Sequence, residues 1–122
     1  MDKINQNIDE RRKNKRVTFH LPLQYRNLRK IGVTSLGSLT KDISEGGVRF
    51  NSSEFISLAC RLVVEITLPT STKPIKAISK VAWIRKLPTT SEYELGNQFL
   101  EMSKEDKDLV MNFVNRAVIK NS

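Results

Sequence analysis

The feature that most constrains this chain is the stretch Thr-Lys-Asp-Ile-Ser-Glu-Gly-Gly-Val-Arg-Phe at residues 40–50. It indicates the end of one strand, a tight turn and the start of the next, because apolar residues flank two adjacent glycines. We expect Gly46 and Gly47 to supply the positive φ angles that such a hairpin turn needs. Asp42 and Ser44 lie two residues apart, so on a strand both side chains leave the same face. The stretch therefore predicts a hairpin with a carboxylate and a hydroxyl beside a bare glycine backbone.

A second polar cluster, Arg-Arg-Lys-Asn-Lys-Arg, occupies residues 11–16. The chain carries a net charge of +8, and residues 1–30 hold nine Lys or Arg against three Asp or Glu. The basic excess is thus concentrated near the N-terminus. We expect residues 1–16 to form a flexible arm, with a short helix at Ile4–Asp9. Such an arm suits an anionic partner, whether nucleotide phosphate, nucleic acid or an acidic membrane.

The rest of the chain shows strand patterns followed by one helical pattern. Alternation is clearest in the first predicted strand, where Pro22 lacks an N–H and so predicts an edge or a local bulge. Several short antiparallel strands predict a barrel or sandwich. Ser103 then caps a helix whose apolar residues recur every four positions; we expect it to cover an open barrel end, the alternative being a partner surface. The predicted strands are residues 17–26, 38–43, 48–51, 61–68, 75–87 and 92–100.

Composition limits the possible functions. A hydrophobic fraction of 39% with 28% charged residues predicts one soluble globular domain. The lone Cys60 allows no internal disulfide, and its strand parity predicts a core position. We find no signal peptide and no apolar run near the ~20 residues of a membrane helix, so we expect a cytoplasmic protein without a membrane span. One His, one Cys and no evident pair of catalytic carboxylates predict neither an enzyme nor a metal or cofactor site.

The two polar clusters together resemble a known family. Residues 12–16 form an RxxxR motif and residues 42–47 contain DxSxxG. In this order and at this separation they resemble the PilZ domain, the bacterial receptor module for cyclic di-GMP. The resemblance continues through Val-Ala-Trp at 81–83 and the G-x-x-F of residues 96–99 into the C-terminal helix. It covers the chain from about Arg11 to the end.

The resemblance implies both a fold and a ligand site. The implied fold is mainly β. Residues 17–122 would form a six-stranded antiparallel PilZ-type split β-barrel that ends in a C-terminal α-helix, and residues 1–16 would form the flexible basic arm that precedes it. Arginine is suited to guanine O6/N7 and to phosphate, and a carboxylate accepts from guanine N1–H and N2–H₂. The ligand contacts implied for cyclic di-GMP come from Arg11, Arg12, Arg16, Asp42, Ser44, Gly46 and Gly47.

The implied function is that of a receptor and adaptor. The arm would fold over cyclic di-GMP and create a surface for an unidentified effector protein in motility, biofilm or exopolysaccharide control. Arg11 lies directly before the RxxxR motif, and in similar proteins an arginine at this position accompanies binding of an intercalated pair of cyclic di-GMP molecules. Trp83 either stacks on a guanine or packs in the core, and its parity with Val81 favours the core. Two alternatives stay open: a PilZ-like protein-interaction module without ligand, and a basic nucleic-acid-binding domain, although no specific nucleic-acid signature is present.

Overall fold

Seven strands and one helix make up residues 16–121, the part of the chain that the computed structural model describes, with side chains up to residue 118. The elements are β1 Arg16–Thr18, β2 Pro22–Asn27, β3 Leu36–Ser44, β4 Gly47–Ser52, β5 Arg61–Ile66, β6 Ile75–Lys86, β7 Tyr93–Met102 and α1 Lys104–Asn121. The flexible arm expected at residues 1–16 and its short helix lie outside the described residues, except for Arg16, which begins β1.

Six of the strands close into a barrel. The antiparallel order β3–β2–β5–β6–β7–β4 returns to its start because β4 also pairs with β3, and β1 is an additional strand on β3. Closure leaves the six ring strands paired on both sides, which removes the exposed edges of an open sheet. The predicted six-stranded antiparallel barrel with a C-terminal helix is therefore confirmed.

The first predicted strand, residues 17–26, is wrong as a single element. It divides into β1 and β2, both of which pair with β3. Thr18 lies opposite Asp42, and Pro22 lies opposite Leu39. The chain therefore advances four residues from Thr18 to Pro22 while β3 covers only three, from Asp42 to Leu39. One residue is therefore extra, as in a bulge. The Thr40 hydroxyl accepts a hydrogen bond from the N–H of Leu21 at 2.8 Å inside this irregular stretch.

The barrel interior is filled by alternating apolar side chains, and α1 covers one opening. Ser103 caps the helix, since its hydroxyl accepts from the N–H of Asp106 at 3.1 Å. The carboxylate of Asp106 in turn accepts from the N–H of Lys76 at 3.0 Å and so ties the helix to β6. The buried helix face consists of Val110, Phe113, Val114 and Ala117. Cys60 is only partly buried against this core rather than within it.

The β3–β4 turn is built differently from the prediction. Among the described residues, positive φ angles occur at Gly32 and Ala59 and not at Gly46 or Gly47. The Ser44 hydroxyl accepts from the N–H groups of both glycines at 3.2 Å, which closes the turn without left-handed backbone. Gly47 is required for another reason: a Cβ there would overlap the carbonyl of Asn97 on β7.

Gly47→Ala is expected to lower the free energy of unfolding by about 1–3 kcal/mol, since the new methyl group would push a backbone carbonyl in the barrel wall. Urea denaturation measures the effect. Gly37→Ala is the matched control, because no atom lies within 4 Å of its Cβ position, and it should be neutral or slightly stabilising. Equal stability of the two variants would show that the close approach of β4 and β7 does not require glycine.

Candidate functional site

A solvent-open groove of about 900 Å³ lies along β3, β4, β7 and β6 beside the β3–β4 turn. This volume falls in the range of small-molecule binding sites. We call the lining residues Arg16, Asp42, Glu45 and Arg49 the charged part of the groove. The apolar part consists of Trp83, Phe99, Leu100 and Met102, and Glu101 and Lys107 add further charges to the lining.

Asp42 is the acidic centre of the charged part. Its side chain is held between two arginines, with Oδ1 at 2.6 Å from Nη1 of Arg16 and Oδ2 at 2.7 Å from Nη2 of Arg49. The residue is only 5% exposed. Strand register explains the arrangement, because Arg49 is directly opposite Asp42 on β4 and Arg16 is opposite Ser44 on β1. A carboxylate buried to this extent requires such cationic partners.

Arg49 is shared with a second acidic side chain, Glu94. Arg49 Nη1 lies 2.9 Å from Oε2 of Glu94, which is 1% exposed. Arg85 donates to Oε1 from Nη2 at 2.5 Å and from Nε at 3.1 Å, and Lys41 Nζ lies 3.7 Å from Oε2. Burial is the largest single influence and raises the pKa of Glu94. The hydrogen bond from Arg85 and the charges of Arg49, Lys41 and Arg85 together outweigh it, so the pKa lies below its ordinary value of 4.5.

The apolar part of the groove is organised by Trp83, and the predicted core position of this residue is wrong. Val81 lies opposite Asn97 and Trp83 opposite Gly96, so Ala82 is an extra residue on β6. The bulge turns Trp83 outward, where it is 41% exposed, while Val81 stays in the core. The indole lies against Gly96 so closely that a Cβ there would overlap Nε1 and Cε2.

The register places the two parts of the groove side by side. Gly96 is opposite Trp83 on one neighbouring strand and opposite Arg49 on the other, and Arg49 is opposite Asp42. A row across four strands thus runs from a carboxylate through a guanidinium and a bare glycine to an indole. This row offers hydrogen-bonding groups beside a flat aromatic surface, the combination that binds a nucleobase.

The predicted site residues are brought together as far as they are described. Arg16, Asp42, Ser44, Gly46 and Gly47 all line the groove. Ser44 and both glycines shape the turn, because the N–H groups of Gly46 and Gly47 donate to the Ser44 hydroxyl. A direct contact of these three residues with a ligand stays a prediction. Arg11 and Arg12 lie outside the described residues.

Sequence reasoning did not name Arg49, which lines the groove, or Glu94, which pairs with Arg49 without lining the groove itself. Arg49 follows the DxSxxG motif within the same hairpin, so the sequence could have predicted that it lies opposite Asp42 on the next strand. Glu94 lies far along the chain, and only the β4–β7 and β6–β7 registers bring it to the groove network. Among residues 16–121, no group of three His, Cys, Asp or Glu side chains is arranged to hold a metal ion. The described part of the chain contains no helix long and apolar enough to cross a membrane.

Fold and groove define a small closed β-barrel with one terminal helix and a polar ligand-sized groove on its wall. The PilZ domain family model matches residues 10–116, and the chain belongs to this family. No curated protein matches the sequence significantly.

Solved structures share the fold at low sequence identity. The inhibitor of motility MotI/DgrA of Bacillus subtilis has 18% identity and a TM-score of 0.74, with 89% of this chain and 52% of that chain covered. The PilZ domain with c-di-GMP of YcgR from Escherichia coli has 15% identity and a TM-score of 0.64, with 91% of each chain covered. The K. pneumonia MrkH–c-di-GMP complex has 18% identity, a TM-score of 0.65 and coverage of 89% and 53%. This chain therefore spans about half the length of MotI/DgrA and MrkH.

Acid is expected to destabilise the fold through Glu94. Because the pKa of folded Glu94 is below 4.5, the unfolded chain binds more protons as the pH falls toward that value. The stabilisation is complete above the unfolded pKa and is lost as the pH falls through the folded pKa. Thermal denaturation from about pH 7 to pH 3 should show a falling Tm. Glu94→Gln should have a lower Tm at pH 7, since three cations lose their shared partner, and a weaker dependence on acid.

The control for this measurement is Glu92→Gln, the same chemical change at an exposed neighbouring residue. It should keep the acid dependence of the unmodified protein. A Glu94→Gln variant with an unchanged slope of Tm against pH would exclude Glu94 as a source of the acid sensitivity.

Proposed function

We propose that this chain is a cyclic di-GMP receptor that binds the nucleotide in the groove and acts as an adaptor rather than an enzyme. The observation that carries the proposal is the meeting of Arg16, Asp42 and Trp83 in one ligand-sized groove. Membership of the PilZ family supports it. Further support comes from two proteins of similar fold, YcgR and MrkH, whose structures are described with c-di-GMP.

Guanine recognition is assigned to Asp42. A carboxylate accepts the N1–H and N2–H₂ of guanine as a matched pair, and adenine lacks this pair of donors. Both oxygens of Asp42 already contact arginines. A carboxylate has about four acceptor positions, so Oδ2 can keep Arg49 while the base exchanges with Arg16 at Oδ1.

Phosphate binding is assigned to the N-terminal arginines. Arg16, once released from Asp42, carries a guanidinium suited to a bidentate phosphate contact, and Arg12 completes the RxxxR motif. Ser44 and the two glycines hold the turn that forms one wall of the groove. Folding the arm that precedes β1 over the ligand costs about 1–2 kcal/mol for each residue that is ordered. Contacts to two phosphates and two bases must exceed this cost.

Trp83 is assigned to base stacking. Its indole is exposed at the groove and is fixed against Gly96, so its face is held without a large entropic cost on binding. As the single tryptophan of the chain, it also reports binding through its fluorescence.

The signalling output is the surface that the folded arm creates for an effector protein in motility, biofilm or exopolysaccharide control. A cytoplasmic location remains part of the proposal.

Calorimetric titration with cyclic di-GMP tests the proposal. We expect binding that weakens at high salt, because the phosphate contacts are screened, and a change in Trp83 emission. Asp42→Asn should weaken binding by roughly tenfold to a hundredfold, the value of one bidentate base contact. Asp108→Asn is the matched control, since Asp108 makes the exposed pair with Lys104 on α1 and should bind normally.

Specificity controls are cyclic di-AMP, GTP and duplex DNA. Equal affinity for cyclic di-AMP would exclude guanine recognition by Asp42. Affinity for duplex DNA without affinity for cyclic di-GMP would favour the nucleic-acid alternative, and no affinity for any of the four would favour a ligand-free interaction module. The Tm of each variant must exceed the assay temperature, because Asp42 is a buried ion-pair partner.

Arg11 is expected to set the ligand stoichiometry. Two intercalated ligands carry four phosphate charges and present a base plane on which a further guanidinium can stack. We expect about two ligands for each unmodified chain and about one for Arg11→Leu, measured as the titration endpoint at ligand concentrations well above Kd. An endpoint of one ligand in the unmodified protein would reduce Arg11 to a solvated member of the basic run.

A further inference from the structure

Two neighbouring loops form a surface at the end of the barrel away from the β3–β4 turn. Residues 28–35 connect β2 to β3, and residues 53–60 connect β4 to β5. The N–H of Leu28 donates to the carbonyl of Arg61 at 3.0 Å, and both loops line a cavity of about 350 Å³. We call residues 26–36 and 53–61 together the loop face.

Exposed apolar side chains are concentrated on this loop face. Of nine large exposed hydrophobic residues in the described chain, five lie here. Ile31 is 96% exposed at the tip of the β2–β3 loop, next to Gly32 with φ +79°. Isolated exposed apolar residues are common, but a cluster on adjoining loops marks an interaction site. The five residues are Ile31, Val33, Leu36, Phe55 and Leu58.

The same face is basic. It carries Arg26, Arg29, Lys30 and Arg61 against a single acid, Glu54. Arg29 and Arg61 line a small cavity together with Leu58, so charge and apolar surface are interleaved rather than separated. The partner that this face fits is therefore anionic and also accepts apolar side chains.

We propose that the loop face docks on an anionic lipid surface. Apolar residues at protruding loop tips can enter the boundary between headgroups and acyl chains, while adjacent Lys and Arg side chains reach lipid phosphates. A protein partner of ordinary size buries about 800 Å² on each side, and the centre of such an interface is depleted of charged residues. On the loop face, by contrast, cations lie among the apolar residues. Nucleic acid would also attract the cations, but it takes up apolar side chains mainly as wedges between unstacked base steps.

This surface is separate from the proposed nucleotide groove. Among the residues that line the groove, none belongs to the loop face. The basic run at residues 11–16 also ends at the groove, in β1. Lipid docking and nucleotide binding therefore use different residues and can be tested independently.

Vesicle flotation of the full chain tests the proposal. The probes are vesicles of phosphatidylcholine with about one third phosphatidylglycerol, and vesicles of pure phosphatidylcholine. We expect binding to the anionic vesicles and at least a tenfold loss of the partition coefficient for Ile31→Glu, which places a charge at the inserting tip. Leu39→Glu is the matched control, because Leu39 is 55% exposed on the barrel wall in β3 and receives the same change. It should lose no more than about twofold.

Four outcomes would overturn the proposal. Equal binding of Ile31→Glu and Leu39→Glu would mean that the N-terminal basic run alone attracts the vesicles. Equal binding to neutral and anionic vesicles would remove the role of the cations, and no binding at all would leave the face to a protein partner. A dimer in sedimentation that Ile31→Glu dissociates would assign the face to a second copy of the chain. Cyclic di-GMP titration of Ile31→Glu should match the unmodified protein, which separates failure here from failure of the proposed function.

Discussion

Glu94 is the interaction centre on which the groove depends. A carboxylate that is 1% exposed is tolerated only with close cationic partners, and here Arg49, Arg85 and Lys41 supply them. Arg49 therefore has a partner within the protein that does not depend on any ligand. Because Arg49 also contacts Asp42, the same ion-pair network links the predicted guanine-reading carboxylate to the buried Glu94, two strands away in the order β3–β4–β7.

Extra residues in the strands direct the side chains of this region. Lys41 is the extra residue on β3, Ala82 on β6 and Leu100 on β7. Each bulge shifts the alternation of inward and outward side chains by one position. The β3 bulge precedes Asp42, the β6 bulge turns Trp83 into the groove, and Leu100 itself lines the groove. The barrel thus keeps a continuous core, while these irregular positions shape the groove.

Strand alternation predicted a barrel or sandwich and the C-terminal helix, and the family resemblance selected the six-stranded barrel. The two motifs predicted that Arg16 and Asp42 belong to one site, and the pairing of β1 with β3 brings these side chains together. The core position predicted for Trp83 was wrong because its parity with Val81 holds only in a regular strand. No feature of the local sequence predicts the extra residue Ala82. Glu94 was missed because its contact with Arg49 depends on the pairing of β4 with β7, two strands that are distant in sequence. The glycines of the turn were recognised for the wrong reason, since the close approach of β7 at Gly47 is a tertiary contact.

The ion pairs of the groove also define what a ligand must displace. Asp42 already accepts two charge-assisted contacts, so in the proposed complex a guanine would replace one of them, and its affinity would be the difference between two similar energies. Arg49 is held by Glu94 as well, whereas the one ion pair of Arg16 among the described residues is with Asp42. The exchange therefore falls on Arg16, the first residue of β1 and the last of the RxxxR motif. In the proposed complex, releasing this one arginine frees the base-reading edge and delivers a cation to the phosphates, so the two recognition events are coupled through a single side chain.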